Sequence, residues 1–448
     1  MEISPRHGPG AVADKATLWD KYTWKTISPR LAAQYPLDAY FFASLGHVCD
    51  SLAELNSIKL EESSARVILV PKDSRGPRLI SCEPLAFQWI QQGLGRAIVR
   101  HVEHHALTMY NIHFTDQSPN QCGALLGSST GRYATLDLAE ASDRVTVGLV
   151  RLLFPEHISD VLLNCRTLST ALPGGEELPL HKFAPMGSAL CFPVLALCVW
   201  AILTAAMPDT DARESVLVYG DDVIVPTAQA ANAIEQLEAF GLKVNRDKSC
   251  ISGLFRESCG MDAYLGECVT PVRFRTVWSS SRCPDVYVSW IAYANSCYSK
   301  RYYNAHDFIV RHLTEIYGEI PQADMFGTEF PPCPALLAVP EAYMPSRRRS
   351  NQDLQRLEYY VWDVRPKLIQ HEIDGWKMLL RFFSNANSGS SHGEGFDKYK
   401  PRRSGMALTV DDSVVDTAFS VRSYTKRSSS TLKRRWLPER TNNRPSDR

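Results

Sequence analysis

The sequence predicts an α+β fold, on three observations. Short β-branched runs alternate with segments of helical period between about residues 66 and 275, and two of the strand candidates end on aspartates. Beyond Ser279 the pattern turns mainly helical, with proline breaks such as Pro331-Pro332. A chain of 448 residues, 44% hydrophobic and 22% charged, can bury a substantial core in two or three domain-sized parts, which excludes wholesale disorder. Lys plus Arg and Asp plus Glu both number 49, so bulk charge neither favours nor opposes a nucleic-acid partner. Twelve cysteines without a CxxC pair, behind a polar Met1-Glu2-Ile3-Ser4-Pro5-Arg6 start, fit a reducing cytoplasm better than a disulfide scaffold.

Residues 1–60 carry turn chemistry at Gly8-Pro9-Gly10 and then aromatic-rich helical or irregular stretches. Val67-Ile68-Leu69-Val70 and Arg78-Leu79-Ile80 read as strands flanking a polar loop, Pro71 to Pro77, that holds Lys72 and Arg75. A helix follows Glu83-Pro84 to about Leu107, with Trp89, Ile90, Leu94, Ala97 and Ile98 at helical spacing. Tyr133-Ala134-Thr135-Leu136 is a strand running into Asp137, and Ser142 is placed to cap a helix carrying Val145, Leu149, Leu152 and Leu153. From Met186 to Pro208 there is no charge, and Ala189–Ala206 is almost wholly apolar. That run reaches the lower limit for a bilayer span, but Pro193 near its start and the lack of flanking basic clusters favour a buried core helix and no membrane contact. Val216-Leu217-Val218-Tyr219 and Val223-Ile224-Val225 flank Gly220-Asp221-Asp222 as a tight hairpin with acids at its tip. Ala228 to Phe240 is helical, Gly241 stops it, and Leu242-Lys243-Val244 begins another strand.

Asp137, Asp221 and Asp222 thus sit at strand ends or a hairpin tip, where pairing holds the backbone rigid beneath exposed carboxylates. Hard oxygen ligands converging from different strands suit Mg²⁺, with Mn²⁺ as the alternative. Two such ions can activate a 3′ hydroxyl and stabilise a leaving pyrophosphate, while basic residues approach the triphosphate from the other side. Alone, Gly-Asp-Asp marks no more than a solvated turn.

The neighbouring segments add order. The run Val70-Pro71-Lys72-Asp73-Ser74-Arg75-Gly76-Pro77-Arg78-Leu79-Ile80 resembles the basic fingers motif of viral RNA-dependent RNA polymerases. Asp116-Gln117-Ser118-Pro119-Asn120-Gln121 and Ala134-Thr135-Leu136-Asp137-Leu138-Ala139-Glu140-Ala141-Ser142-Asp143 resemble the first palm motif and its approach. Met186-Gly187-Ser188-Ala189, Tyr219-Gly220-Asp221-Asp222, Asn245-Arg246-Asp247-Lys248-Ser249 and Tyr264-Leu265-Gly266-Glu267 are similar to the second through fifth. Phe255-Arg256-Glu257-Ser258-Cys259-Gly260, which phage replicases also carry, leads into the last. The resemblance is closest to replicases of the single-stranded RNA bacteriophages, the levivirus group, and is collinear over about residues 66–275.

The resemblance implies a right-hand polymerase with fingers at roughly 1–130, an antiparallel palm sheet at 131–270, a mainly helical thumb at 271–390 and a basic, poorly ordered tail at 391–448. It implies template-directed RNA synthesis that replicates a positive-strand phage genome in the cytoplasm of an infected bacterium. Asp137 and Asp221 would be the principal metal ligands, assisted by Asp222, and Lys248 the general acid toward pyrophosphate. Lys72, Arg75 and Arg78 would neutralise the triphosphate. Asp143 would sense the ribose 2′ hydroxyl, although the same acid could simply favour a helix N-terminus. Ser188 stands where the phage replicases usually place asparagine, so ribose recognition there would have altered geometry. RNA template and product and nucleoside triphosphates are the implied partners, with host elongation factors Tu and Ts and a host ribosomal protein as accessory subunits. Relatives generally carry a sizeable segment before Gly8-Pro9-Gly10, so either the fingers are reduced or the chain is a partial or alternatively started product.

Two rivals are weighed. A reverse transcriptase shares the palm but usually places a bulky aromatic where this chain has Asp143. A non-catalytic scaffold has no use for the retained Asp137, Asp221 and Asp222. His101, His104 and His105 form an HxxHH cluster that no acid or cysteine completes as a zinc set, and Cys250, Cys259 and Cys268 read as buried thiols. Residues 401–448 hold 11 Lys/Arg against 5 Asp/Glu with Tyr424 and Trp436 interleaved, which fits either single-stranded nucleic acid or a solvated tail.

Overall fold

The computed structural model describes residues 3–8, 10–16, 20–73, 76–274, 276–324, 333–338, 347–365, 368–373, 375–386, 419–424 and 430–438. They belong to two compact units, Met1–Thr270 with Ile373–Phe419, and Pro271–Glu372 with Ser420–Arg448.

In the first unit, strands β1 (Ala65–Asp73) and β2 (Gly76–Cys82) form an antiparallel hairpin. Pairing extends well beyond the expected strands into the polar stretch, because backbone groups on an exposed hairpin pair whatever the side chains. The chain then enters helix α1 (Leu85–His104), whose first turns are buried all round, with Phe87, Trp89, Ile90 and Leu94 in the core. Helix α2 (Ser118–Thr130) leads into β3 (Tyr133–Asp137). The next helical stretch breaks in two, Ala141–Arg144 and Val147–Leu153, and Thr146 caps the second by accepting from the Leu149 N–H at 3.0 Å. Ser142 therefore lies inside the first short helix and is not the cap its position suggested.

Helix α3 (Cys191–Ala206) is the apolar run, and Val194, Leu195, Ala196, Cys198, Val199, Ile202 and Leu203 are buried along it. Core burial, worth about 1.5–3 kcal/mol per large aliphatic side chain, accounts for its composition. Among the described residues no helix is long and apolar enough to cross a membrane. Strands β4 (Leu217–Tyr219) and β5 (Asp222–Pro226) complete an antiparallel sheet of order β3-β5-β4. Helix α4 (Ala230–Ala239) covers it, with Ala230, Ala233, Ile234 and Leu237 buried. The expected strand at 242–244 is only a lone bridge, Leu138 to Val244, because the chain tracks the free edge of β3 without a continuous ladder. Strands β6 (Phe255–Ser258) and β7 (Met261–Tyr264) form the hairpin after it.

The second unit opens with two helices, α5 (Pro284–Ser299) and α6 (Tyr303–Tyr317), packed through Tyr287, Ile291, Ile309 and Leu313. It then departs from a helical expectation. Strands β8 (Arg348–Asn351), β9 (Arg356–Arg365) and β10 (Thr431–Pro438) form an antiparallel sheet of order β8-β9-β10. The Tyr, Trp and Val content of β9 favours a pleated, half-buried surface over a helix. Residues 431–438 correct the expectation of a poorly ordered tail: they pair with β9 in continuous register from Glu358↔Pro438 to Arg365↔Thr431. A long-range partner supplies order that local composition could not signal, while residues 387–418 and 439–448 lie outside the described residues.

Candidate active site

β3 is covered on both faces, with Ala134, Thr135 and Leu136 all buried, and Asp137 stands at the strand end, its side chain 18% exposed. Antiparallel pairing puts Asp222, the first residue of β5, directly opposite Asp137, and Tyr219 opposite Asp222 on the other side. The intervening turn is Gly220-Asp221, and the Leu138 N–H donates to the Asp221 carbonyl at 3.3 Å. Gly220 is required: its φ is +66°, and a Cβ there would lie 2.1 Å from the Phe192 ring. Asn120 of α2 steadies β5 by donating its side-chain amide to the Asp222 carbonyl at 3.1 Å.

The segment after α4 wraps Asp137. The Asn245 amide donates to Asp137 Oδ2 at 3.0 Å, the Asp137 N–H donates to Ser249 Oγ at 3.1 Å, and Lys248 Nζ stands 3.6 Å from Asp137 Oδ1. A fourth carboxylate, Glu257 on β6, joins the cluster electrostatically. Burial, with repulsion from Asp221 and Glu257, pushes the Asp222 carboxyl up to about 7. Asp221 is open to solvent on one side, but crowding by protein on the other and the nearby Asp137 still raise its carboxyl, against the pull of Lys248 and Arg78. Burial, then Asp262 and Asp137, raises Glu257 as well. A cluster in which acids raise one another is one that a cation would relieve.

Among the described residues no three Asp, Glu, His or Cys side chains are drawn together as a ready cage. The donor set fits Mg²⁺ nonetheless, because this ion is commonly held by one or two carboxylates completed by water and phosphate oxygens. HxxHH shows no such convergence: the His101 and His105 rings are merely neighbours, 5.1 Å apart.

A model of the RNA replicase beta-chain family matches residues 26–282, more than half of the sequence. The chain belongs to this family. Its match to the RNA-directed RNA polymerase subunit beta of Enterobacteria phage SP is 32% identical over 60% of this chain and 46% of that protein. The match to the beta chain of Escherichia phage MS2 is 35% identical over 46% and 36% respectively. The chain thus spans less than half the length of these relatives. Among solved structures, the RNA-dependent RNA polymerase of a human picorbirnavirus superposes with a TM-score of 0.37 at 12% identity, over 57% of this chain and 56% of that one.

The remaining family-motif residues are dispersed around the cluster. Arg78 is exposed on β2 and near enough to Asp221 to draw its carboxyl downward. Lys72 belongs to β1, but its side chain, like all of Arg75, lies outside the described residues. Asp143 receives the Lys182 ammonium at 2.6 Å, a pairing that sequence reading missed because 39 residues separate the two. Cys191 at the start of α3 lies within the fields of both Asp143 and Asp221, and burial pushes its thiol up to about 12.

Ser188 is drawn inward. Its buried hydroxyl donates to Gln91 Oε1 at 3.0 Å, and the Leu190 N–H donates to Ser188 Oγ at 3.3 Å. Gly187 beside it has φ +123° and packs so closely on β2 that a Cβ would lie 2.1 Å from the Ser81 carbonyl oxygen. Gln91 and Glu257 are the other residues that sequence reading passed over. Glu257 lies within the Phe255-Arg256-Glu257-Ser258-Cys259-Gly260 motif, but only the fold brings it beside Asp222. Arg256, also in that motif, is buried and donates to the Tyr133 carbonyl at 2.6 Å, tying β6 to β3. Of the cysteines read as buried, Cys259 is, Cys250 is half-buried, and Cys268 is exposed because its two-residue strand lies at a sheet edge.

Proposed function

We propose that the chain is a template-directed RNA polymerase that replicates a positive-strand RNA phage genome by two-metal transfer of nucleotides to an RNA 3′ end. The observation that carries this reading is the cross-strand pair Asp137 and Asp222, with Asp221 in the adjoining turn. Asp137 and Asp221 would hold Mg²⁺ or Mn²⁺, with Asp222 assisting; when bound, the ions would activate the attacking hydroxyl and offset charge on the leaving pyrophosphate. Asn245 and Ser249 fix the orientation of Asp137, so the carboxylate is placed before substrate arrives.

Lys248 is the candidate proton donor to pyrophosphate. Half-exposed and beside Asp137, it can approach a departing group without leaving the cluster. Lys72, Arg75 and Arg78 would neutralise the triphosphate. Asp143, held by Lys182, would accept a hydrogen bond from the ribose 2′ hydroxyl, and Ser188 would reach the sugar only by releasing Gln91. By the same reading residues 1–130 act as fingers, 131–270 as palm and 271–390 as thumb. The reaction belongs to the cytoplasm of an infected bacterium, with elongation factors Tu and Ts and a ribosomal protein as host partners; a lysate pull-down that returns none of them would count against that part.

The test supplies an RNA template with ribo- or deoxyribonucleotides, with and without the host factors. Product from ribonucleotides, abolished in Asp221→Asn, is expected. Product from deoxyribonucleotides alone would make the chain a reverse transcriptase, and inactivity under every condition would favour a scaffold.

A further inference from the structure

We propose that the β8-β9-β10 sheet of the second unit is a binding surface for single-stranded RNA. The observation is a ladder of guanidinium groups and aromatic rings on one face. Tyr360 of β9 is the direct register partner of Trp436 of β10, and their ring centroids are 5.2 Å apart. Arg349 of β8 lies 4.4 Å above the Trp436 ring, and Arg347 lies 5.6 Å from Tyr360 and 5.8 Å from Trp436. The ladder ends at Arg434, 5.9 Å from Tyr360: there Trp362 is buried in the core, and the Arg434 guanidinium donates to the Tyr317 and Glu319 carbonyls at 3.1 and 3.0 Å, so the open part of the face is Arg347, Arg349, Tyr360 and Trp436.

Two features give this face a ligand as well as a fold. The first is charge. Residues 347–365 and 430–438 hold 8 Lys/Arg against 3 Asp/Glu. Glu358, itself buried, is shared by Arg349 and Arg356, so one acid faces two cations. Arg347 is exposed, and no ion pair occupies it among the described residues. The second is the rings. Tyr360 and Trp436 are half-exposed on a rigid strand pair, and alternate residues on a strand face stand roughly 7 Å apart. Guanidinium groups over such rings offer phosphate contacts and stacking platforms together, the combination that holds single strands with little sequence preference. A duplex hides its base faces, and an acidic protein would have no use for the rings.

Template binding at the acidic cluster would also take up RNA, so the test locates the contact on the chain, and its outcome is distinguishable from that of the polymerase reading. The full chain is mixed with a 4-thiouridine-labelled oligouridylate and irradiated, the cross-linked peptides are mapped by mass spectrometry, and affinity is followed by fluorescence anisotropy. Cross-links to peptides from 347–365 or 430–438 are expected. R347Q should weaken binding about threefold and the R347Q/R349Q pair about tenfold, with a shallower salt dependence. Trp436→Phe, which keeps a ring, should retain most of the affinity. Cross-links confined to other segments, unchanged affinity in R347Q/R349Q, or a preference for duplex RNA or anionic vesicles would overturn the proposal.

Discussion

Asp222 carries the conflict between stability and chemistry at the scale of a single residue. Its carboxyl is raised to about 7 by burial and by Asp221 and Glu257, so the folded chain binds a proton there more tightly than the unfolded chain does. That contribution to stability is complete below the ordinary carboxylate value and is lost as pH rises through about 7. Asp222→Asn should therefore stabilise the cation-free protein at pH 8 by about 1 kcal/mol, allowing for solvent screening, while lowering RNA synthesis. Thermal melts without divalent ions check the first part, and no gain in Tm would contradict the repulsion. Asn245→Ala removes the amide that orients Asp137 and should cut turnover about tenfold with the melting curve little changed. Gly220→Ala is different in kind. Strain and the Phe192 clash fall on the hairpin itself, so loss of both activity and cooperative melting is expected.

At the scale of elements, the junction of β2 and α1 anchors the Gly187-Ser188 loop. The Ser81 N–H donates to the Met186 carbonyl at 2.8 Å, and Gln91 accepts from both the Ser188 hydroxyl and the Ala189 N–H. Glu83 lies in the same buried layer, and its carboxyl oxygens make no well-formed hydrogen bond there. Burial raises it from 4.5 to about 7, against weaker favourable contributions from nearby Thr167, Gln91 and Arg166. Its stabilising proton is fully bound below pH 4.5 and lost as pH climbs through about 7. Glu83→Gln should flatten that dependence and gain on the order of 3 kcal/mol at pH 8, read from denaturant melts at pH 5 and 8. Equal slopes for both proteins would contradict this account of the junction.

Across the whole molecule, legibility follows the range of the interactions. The α1 helix, the apolar α3 helix and the β4-β5 hairpin were readable because period, composition and turn chemistry are local, and so was the placing of Asp137, Asp221 and Asp222 at strand ends or a hairpin tip. Lys182 beside Asp143, Glu257 beside Asp222 and Gln91 beside Ser188 were not, since each is brought in by tertiary packing. The β9-β10 pairing was illegible for the same reason, with 65 residues between the facing ends Arg365 and Thr431. The neutral total charge also resolves into parts: residues 1–400 hold 38 Lys/Arg against 44 Asp/Glu, and the basic excess of 401–448 offsets them. The central claim is that Asp137, at the end of β3, and Asp221, in the adjoining β4-β5 turn, act as a single unit in nucleotide transfer. Single-turnover incorporation of one ribonucleotide on a primed RNA tests it through Asp137→Asn, Asp221→Asn and the double variant. Each single change should lower the rate by roughly 10³-fold or more, and the double should be no worse than the poorer single. Asp221→Asn incorporating nucleotide at the unmodified rate, or losses that multiply in the double variant, would contradict the claim.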